Sequence, residues 1–383
     1  MRRVAVFTGN RAEYGLLHPI IRAMHEHGGL DVRLVVSGAH VSADFGATIG
    51  EIRGDGIEIA AAVDIGVAGT DAKNQAAALG RAVTAFVETL DRLAPDLAFV
   101  YADRMEGFAA IIAAFELNIA VAHMEGGDVT EGGTHDDSVR HAMTKLAHLH
   151  FTTSEDAADR VRRLGEEPWR VVFAGLPTLD TIARKDFAPP EEVLASFGLT
   201  PGRPVVVFTQ HPVSTEPQHA HAQVVESLEA LRDVGADTVI TYPNSDPGSR
   251  AIIEAFDSYR AVPHFRFEKS LGRRRYLGLL NVAGAVVGNS SSGIKETPSF
   301  GIPCVNVGTR QAGRLRAENV IDVDYDRGTI AGAVRAALFD ETVRARARGC
   351  RQPYGAGRAG EIVARTLASV ELGPHLLRKK LTY

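Results

Sequence analysis

Three carboxylates and one histidine stand where short apolar runs give way to polar residues. In an open parallel sheet those are the positions that face substrate. Asp103 follows the run Leu97 to Tyr101, and Glu125 follows Ile119 to Ala122 within His123-Met124-Glu125-Gly126-Gly127-Asp128. Asp136 lies just past a Gly-rich turn, and His211 ends the run Val205 to Phe208 within Thr209-Gln210-His211-Pro212. One such Asp is commonly a helix cap, and a lone His is commonly structural. Three carboxylates on one half are harder to dismiss. Clustering and partial burial raise their proton affinity. That matters because an unperturbed Asp, near pKa ~3.9, is a feeble base toward a carbon acid at neutral pH.

A second constellation suits an anion. The apolar run Val282 to Val287 stops at Gly288, and Asn289, Ser290, Ser291, Ser292 and Gly293 lead into a short helical pattern from Ile294. A strand that breaks into small hydroxyl residues at a helix start aims unpaired N–H groups outward, where a phosphate sits well. The plainer alternative is that the serines only cap the helix. Glu296, one turn in, could hold a ribose diol, and Arg310 follows the next apolar run. Arg11 sits in the Gly turn after the first apolar run, Val4 to Thr8, and its position favours a phosphate ligand over a surface charge. His123, His135 and His141 invite a metal reading. Their spacing matches no His-x-x-x-His pair and no cysteine joins them, so no metal is expected.

The elements that must position these residues alternate. Apolar runs at Val4 to Thr8, Val32 to Val36, Leu97 to Tyr101, Ile119 to Ala122, His148 to Thr152 and Val171 to Ala174 read as buried strands, with helical patterns between the early ones. After Leu176-Pro177-Thr178 and Pro189-Pro190 the rhythm restarts with Val205 to Phe208, Thr238 to Thr241, Phe265 with Phe267, and Val282 to Val287. The fold class is therefore α/β, two Rossmann-like domains with mostly parallel sheets. Residues 1–175 form the first, 176–365 the second, and 366–383 a helix end and basic tail, Arg378-Lys379-Lys380, read as a solvated terminus. Two such halves imply a cleft between them, faced by the strand ends.

Composition sets the outer limits. A chain of 383 residues exceeds one domain of roughly 150, with 45% hydrophobic and 23% charged residues. A net charge of −5 gives no basic footprint, so nucleic acid is not an expected partner. No apolar run reaches the ~18–20 residues of a membrane span. Two distant cysteines, Cys304 and Cys350, fit a reducing cytoplasm, and MRRVAVFTGN reads as a first strand and not a leader.

The ordered strings TGNRAEYG, ADRMEG, HMEGGD, DDSVRHAMTKLAHLHF, QHPVST, GNSSSGIKE and PSFGIPCVNVGTRQAGRLRAENV resemble the hydrolysing UDP-N-acetylglucosamine 2-epimerases. These include the bacterial sialic-acid-pathway enzymes and the epimerase half of the animal bifunctional enzyme. The resemblance spans roughly Val4 to Leu367. It implies a GT-B fold with the nucleotide mainly on the second half and the sugar at the carboxylates of the first. Arg11 matches the diphosphate-contacting arginine, and Asp103 and Arg104 an acid and a nucleotide-side arginine. Glu125 and Asp136 match the other catalytic carboxylates, and His211 the phosphate-side histidine. Ser290 and Ser291 match phosphate-binding serines, Glu296 the ribose-binding glutamate, and Arg310 a further nucleotide contact. The implied reaction removes the hydrogen at sugar carbon 2 as the nucleotide leaves, then adds water across the glycal, releasing N-acetylmannosamine and UDP. The implied partners are a nucleotide sugar and further copies of the chain, as dimer or tetramer. No cofactor is implied, in keeping with the missing GxGxxG. The chain departs from the family at Asn10 (usually Thr), Glu13 (usually Asp), Asp128 (usually Glu) and a connection over 129–134 that is two residues longer. That connection leads into Asp136, which leaves open the sugar accepted and the choice between Asp136 and Asp137.

Overall fold

Runs of β-branched and aromatic residues without polar alternation need cover on both faces, and the strands here receive it. The computed structural model describes residues 1–383 apart from 43–47, 67–71, 130–134, 214, 244–246 and 270, and the long connection at 129–134 lies largely outside the described residues. The chain forms two units, Met1–Asp180 with Tyr354–Tyr383, and Thr181–Pro353.

The first unit holds β1 (Arg2–Thr8), β2 (Leu30–Ser37), β3 (Ile59–Val63), β4 (Leu97–Tyr101), β5 (Ala120–Met124), β6 (Leu149–Thr152) and β7 (Val171–Phe173). They lie in the order β3-β2-β1-β4-β5-β6-β7, and each neighbouring pair is parallel. The pleat sends alternate residues to opposite faces. Val4 and Val6 meet Leu17, Ile20 and Phe99 on one side, while Ala5 and Phe7 meet Phe86, Val100 and Ile111 on the other. The first helix, Arg11–His27, starts at Asn10, whose side chain accepts from the Glu13 N–H at 3.0 Å.

The second unit repeats the plan with β8 (Val205–Thr209), β9 (Asp237–Thr241), β10 (Phe265–Glu268), β11 (Ala285–Gly288), β12 (Cys304–Val307) and β13 (Val320–Val323). Their order is β10-β9-β8-β11-β12-β13. In each sheet the strand order reverses beside the first strand, between β1 and β4 and between β8 and β11. Ligands of such sheets bind at the carboxyl ends on either side of that reversal. Arg11 and Asp103 follow β1 and β4; His211 and Ser290 follow β8 and β11.

The expected α/β fold is what forms, with differences in detail. The edge strands β3 and β13 are short and only half-buried, and β13 is interrupted by Asp322. Val282, read as strand, ends the helix Gly272–Val282. The chain also returns. The helix Ala359–Ser369 packs across Arg11–His27 in the first unit, where the sequence reading kept residues to 365 in the second. A Cβ at Gly360 would lie 2.8 Å from the Pro19 carbonyl oxygen, so only glycine allows this approach. The Asp180 carboxylate accepts from the N–H groups of Ala359 (2.9 Å) and Gly360 (2.7 Å), two of the donors a helix start leaves unpaired.

The basic tail is not a freely solvated terminus. The Lys379 ammonium bonds Glu166 at 2.9 Å and the Lys145 carbonyl at 2.6 Å. Fully buried Arg170 donates to the carbonyls of His148, His375, Leu376 and Arg378. Burial opposes ionisation of Glu166, but bonds from His150, Lys145 and Lys379 outweigh it and hold its pKa at about 2. No helix among the described residues is long and apolar enough to cross a membrane.

Asp180→Ala strands two buried N–H groups, and should lower unfolding stability by about 1–3 kcal/mol in urea titrations. A loss under about 0.5 kcal/mol would mean that the helix start finds other acceptors.

Candidate active site

At the carboxyl end of the first sheet, β4 turns sharply at Ala102, whose φ of 55° is left-handed, and delivers Asp103. The turn is tied twice. The Ala102 N–H donates to the Met124 carbonyl at 2.9 Å, and its own carbonyl accepts from His123 Nε2 at 2.7 Å. Burial drives the His123 pKa down to about 3, so its ring is neutral and carries the proton on Nε2. Glu125, one strand over, is also left-handed (φ 70°), with its N–H on the Phe151 carbonyl at 2.9 Å. Left-handed non-glycine residues cost about 1–2 kcal/mol each and persist where surrounding bonds enforce them.

Arg140 organises the acids. It lies on the helix His135–Leu146, is ion-paired with Asp103 and with Asp137 at 2.5 Å, and donates to the Asp128 carbonyl at 2.8 Å. Exposures of 8% for Arg140 and 15% for Asp103 make this a largely desolvated pair. Burial pushes the Asp103 pKa up, Arg140 pulls it back, and Glu125 and Asp136 push it up again; the net shift is upward. A carboxylate facing an arginine would ordinarily shift down. Here the guanidinium is shared with Asp137 and a carbonyl, so its charge does not cancel that of Asp103 alone. The two neighbours in DDSVR separate: Asp137 is buried and held by Arg140, while Asp136 is exposed and within electrostatic reach of Asp103.

The turn after β1 packs against two buried carboxyls, Glu13 and Glu106. The Gly9 N–H donates to Glu13 Oε2 at 2.6 Å. A Cβ at Gly9 would overlap the Glu106 carboxyl at 2.5 Å, so the turn folds directly over it. Arg11 at the helix start is exposed and pairs with Glu51 at 3.0 Å, and Arg104 is exposed at the start of Met105–Glu116. A solvated pair of the first kind is worth only about 0–1 kcal/mol, so a diphosphate could displace Glu51 from Arg11.

In the second unit, Gly288 ends β11 with φ 120°, against Thr209, where a Cβ would lie 2.0 Å from the Thr209 carbonyl oxygen. The next residues turn through the four-residue helix Ser292–Lys295. Ser291 occupies its N-cap without a side-chain bond, and Ser290 Oγ accepts from the Ser292 N–H only at 3.4 Å. Capping is thus a weak account of these serines, and both are half-buried. Glu296 closes the turn with its N–H on the Ser292 carbonyl at 3.0 Å. The main chain of His211 is held by the Asn289 side chain, and Arg310 Nη1 donates to the Asn289 carbonyl at 3.2 Å. The structure therefore gathers Asp103, Glu125 and Asp136 in one unit, and His211, Ser290, Ser291, Glu296 and Arg310 in the other.

A sequence profile of the UDP-N-acetylglucosamine 2-epimerase family matches residues 22–368. The chain belongs to this family. It is 33% identical over 383 residues to a Legionella pneumophila UDP-N,N'-diacetylbacillosamine 2-epimerase (hydrolyzing), across the whole of both chains. It is 32% identical over 342 residues to a Neisseria meningitidis UDP-N-acetylglucosamine 2-epimerase, covering 88% of each. The crystal structure of UDP-GlcNAc 2-epimerase from Neisseria meningitidis bound to UDP-GlcNAc superposes with a TM-score of 0.81 over 96% of this chain and 99% of that one. At 18% identity that likeness speaks for the fold, two Rossmann-like domains of the GT-B kind.

Three residues of this epimerase-family chain escaped the sequence reading. Arg140 lies within DDSVR, where its spacing of three from Asp137 on a helix is a usable signal. Asn289 was passed over for the serines after it. His123 was weighed only as a metal ligand; among the described residues no three His, Cys, Asp or Glu side chains gather as a metal site.

Burial, with Glu106 nearby, raises the Glu13 pKa to about 8. An acid with a raised native pKa binds its proton more tightly folded than unfolded. Stability therefore falls as pH climbs from about 4.5 and levels off above about 8. Glu13→Gln keeps the acceptor for Gly9 and removes this slope. Thermal melts across pH 5–8 should show wild type losing ground to the variant, by at most about 5 kcal/mol. Parallel curves would place the Glu13 proton elsewhere.

Proposed function

We propose that this chain is a hydrolysing 2-epimerase of a UDP-linked 2-acetamido sugar. The supporting observation is Asp103, raised in proton affinity and held by Arg140, with Glu125 and Asp136 close enough to act on it. Carbon-bound hydrogen is removed by groups of this kind, because a carboxylate with raised proton affinity is a stronger base at neutral pH.

The reaction balances as an elimination followed by a hydration. A carboxylate takes the proton from sugar carbon 2, and the carbon 1–oxygen bond breaks with its electron pair going to the diphosphate. The product of that step is a glycal. Water then supplies hydroxide to carbon 1 and a proton reaches carbon 2 from the opposite face, leaving the 2-epimer and UDP. We assign proton transfers to Asp103, Glu125 and Asp136. The departing diphosphate gathers negative charge, and Arg11, Arg104, His211, Arg310 and the turn at Ser290 and Ser291 are assigned to it, with Glu296 on the ribose. Preorganised donors at a developing anion are commonly the largest single contribution to such barriers. Self-association into dimers or tetramers is part of the same proposal.

A second reading concerns the sugar. The full-length relative named for UDP-N,N'-diacetylbacillosamine supports a 2,4-diacetamido substrate beside UDP-N-acetylglucosamine.

Each sugar nucleotide is incubated with the protein in deuterated water and followed by NMR. Free 2-epimer carrying deuterium at carbon 2, with released UDP, is expected. A UDP-linked epimer overturns the hydrolysing assignment, and no turnover of either substrate overturns the enzyme. The larger kcat/KM identifies the sugar. Asp103→Asn should cut turnover by about 10²–10⁴-fold while UDP affinity stays within about threefold. Equal loss of both would remove Asp103 from the proton transfers.

A further inference from the structure

We infer that Asn289 is a positioning residue, whose side-chain amide sets His211 and whose carbonyl sets Arg310 for gripping the leaving diphosphate. The inference rests on the nucleotide reading above and adds a residue that grips nothing itself.

The geometry starts from where β11 stops. Its parallel pairing with β8 runs to Gly288 opposite Thr209, and the Asn289 N–H donates to the Thr209 carbonyl at 3.0 Å. Beyond that point the Asn289 side chain replaces the strand. Its Oδ1 accepts from the His211 N–H at 2.7 Å and its Nδ2 donates to the His211 carbonyl at 2.9 Å. One amide thus satisfies both main-chain groups of one residue, as a neighbouring strand would, and only this O/N assignment fits both bonds. The Asn289 main-chain carbonyl then accepts from Arg310 Nη1 at 3.2 Å and from Gln311 Nε2 at 2.8 Å. Asn289 is fully buried. Three strand ends, those of β8, β11 and β12, are therefore tied to one residue.

The residue type follows from the pattern. Aspartate offers two acceptors and would set a carboxylate against the His211 carbonyl. Serine is too short to reach both groups, and alanine leaves both unpaired. A buried asparagine can fasten loops with no bearing on ligand, so the deciding quantity is coupling to His211, not loss of stability.

UDP affinity is measured by calorimetry for wild type, Asn289→Ala, His211→Ala, Arg310→Ala and the two doubles that include Asn289→Ala. Asn289→Ala should weaken UDP by about tenfold, and by no more than about twofold further once His211 is already gone; the main-chain carbonyl that holds Arg310 remains in the variant, so in the Arg310→Ala background the loss should stay near tenfold. A fully multiplicative loss in the His211 cycle overturns the inference, because a loop fastener would act independently of that side chain. Should Asn289→Ala fail to fold, Asn289→Asp carries the test. Its deficit relative to wild type should shrink as pH falls and the new carboxyl regains a proton to donate to the His211 carbonyl; a constant deficit overturns the inference. Wild type that binds no UDP overturns the proposed function and this inference with it. Wild type that binds UDP with an uncoupled His211 cycle overturns the inference alone.

Discussion

A single guanidinium, that of Arg140, determines what the first unit can do. Two carboxylates beside it are mostly removed from water, and without a buried cation they would take up protons or the segment would not pack. Arg140 divides itself among Asp103, Asp137 and the Asp128 carbonyl, and although it lowers the proton affinity of Asp103, burial outweighs it and the net shift stays upward. A dedicated one-to-one ion pair would have produced a weaker base. The neutral His123 beneath, fixed on the Ala102 carbonyl, keeps the strained turn that aims Asp103 in place. Charge, tautomer and backbone strain thus act on one carboxyl.

The second unit solves a different problem with different means. Its sheet repeats the strand order of the first about β8 and β11, yet among the described residues no cluster of buried acids follows those strands. Backbone donors, small hydroxyls and a buried amide follow instead. These are fixed dipoles, suited to meeting an anion without large rearrangement. The division of chemistry between the units therefore lies in a few residues after matching strands and not in a difference of architecture.

Much of this was legible in the residues. The breaks after Tyr101, Phe208 and Val287 marked strand ends to within one residue, since a buried parallel strand must be continuously apolar and stops where its environment becomes polar. What stayed hidden was pairing over long distance. Nothing local in Asn289 shows that its amide closes on His211, and nothing in Lys379 shows that Glu166, more than two hundred residues away, will neutralise it. The return of Ala359–Ser369 to the first helix was missed for the same reason: an amphipathic helix announces that it has a buried face, not which surface will bury it. Of the two edge strands missed, β13 is broken by Asp322, whereas the all-apolar β3 was legible in its own residues.

That return makes Thr181–Pro353 an insertion within the first unit and not its successor. On the ribosome the inserted unit is synthesised whole before Ala359–Ser369 appears, although the first sheet was made much earlier. Until then the face of Arg11–His27 that meets Val363 and Leu367 stays bare to water or to chaperones. Order of synthesis and order of completion are thereby reversed: the half made first is the half finished last.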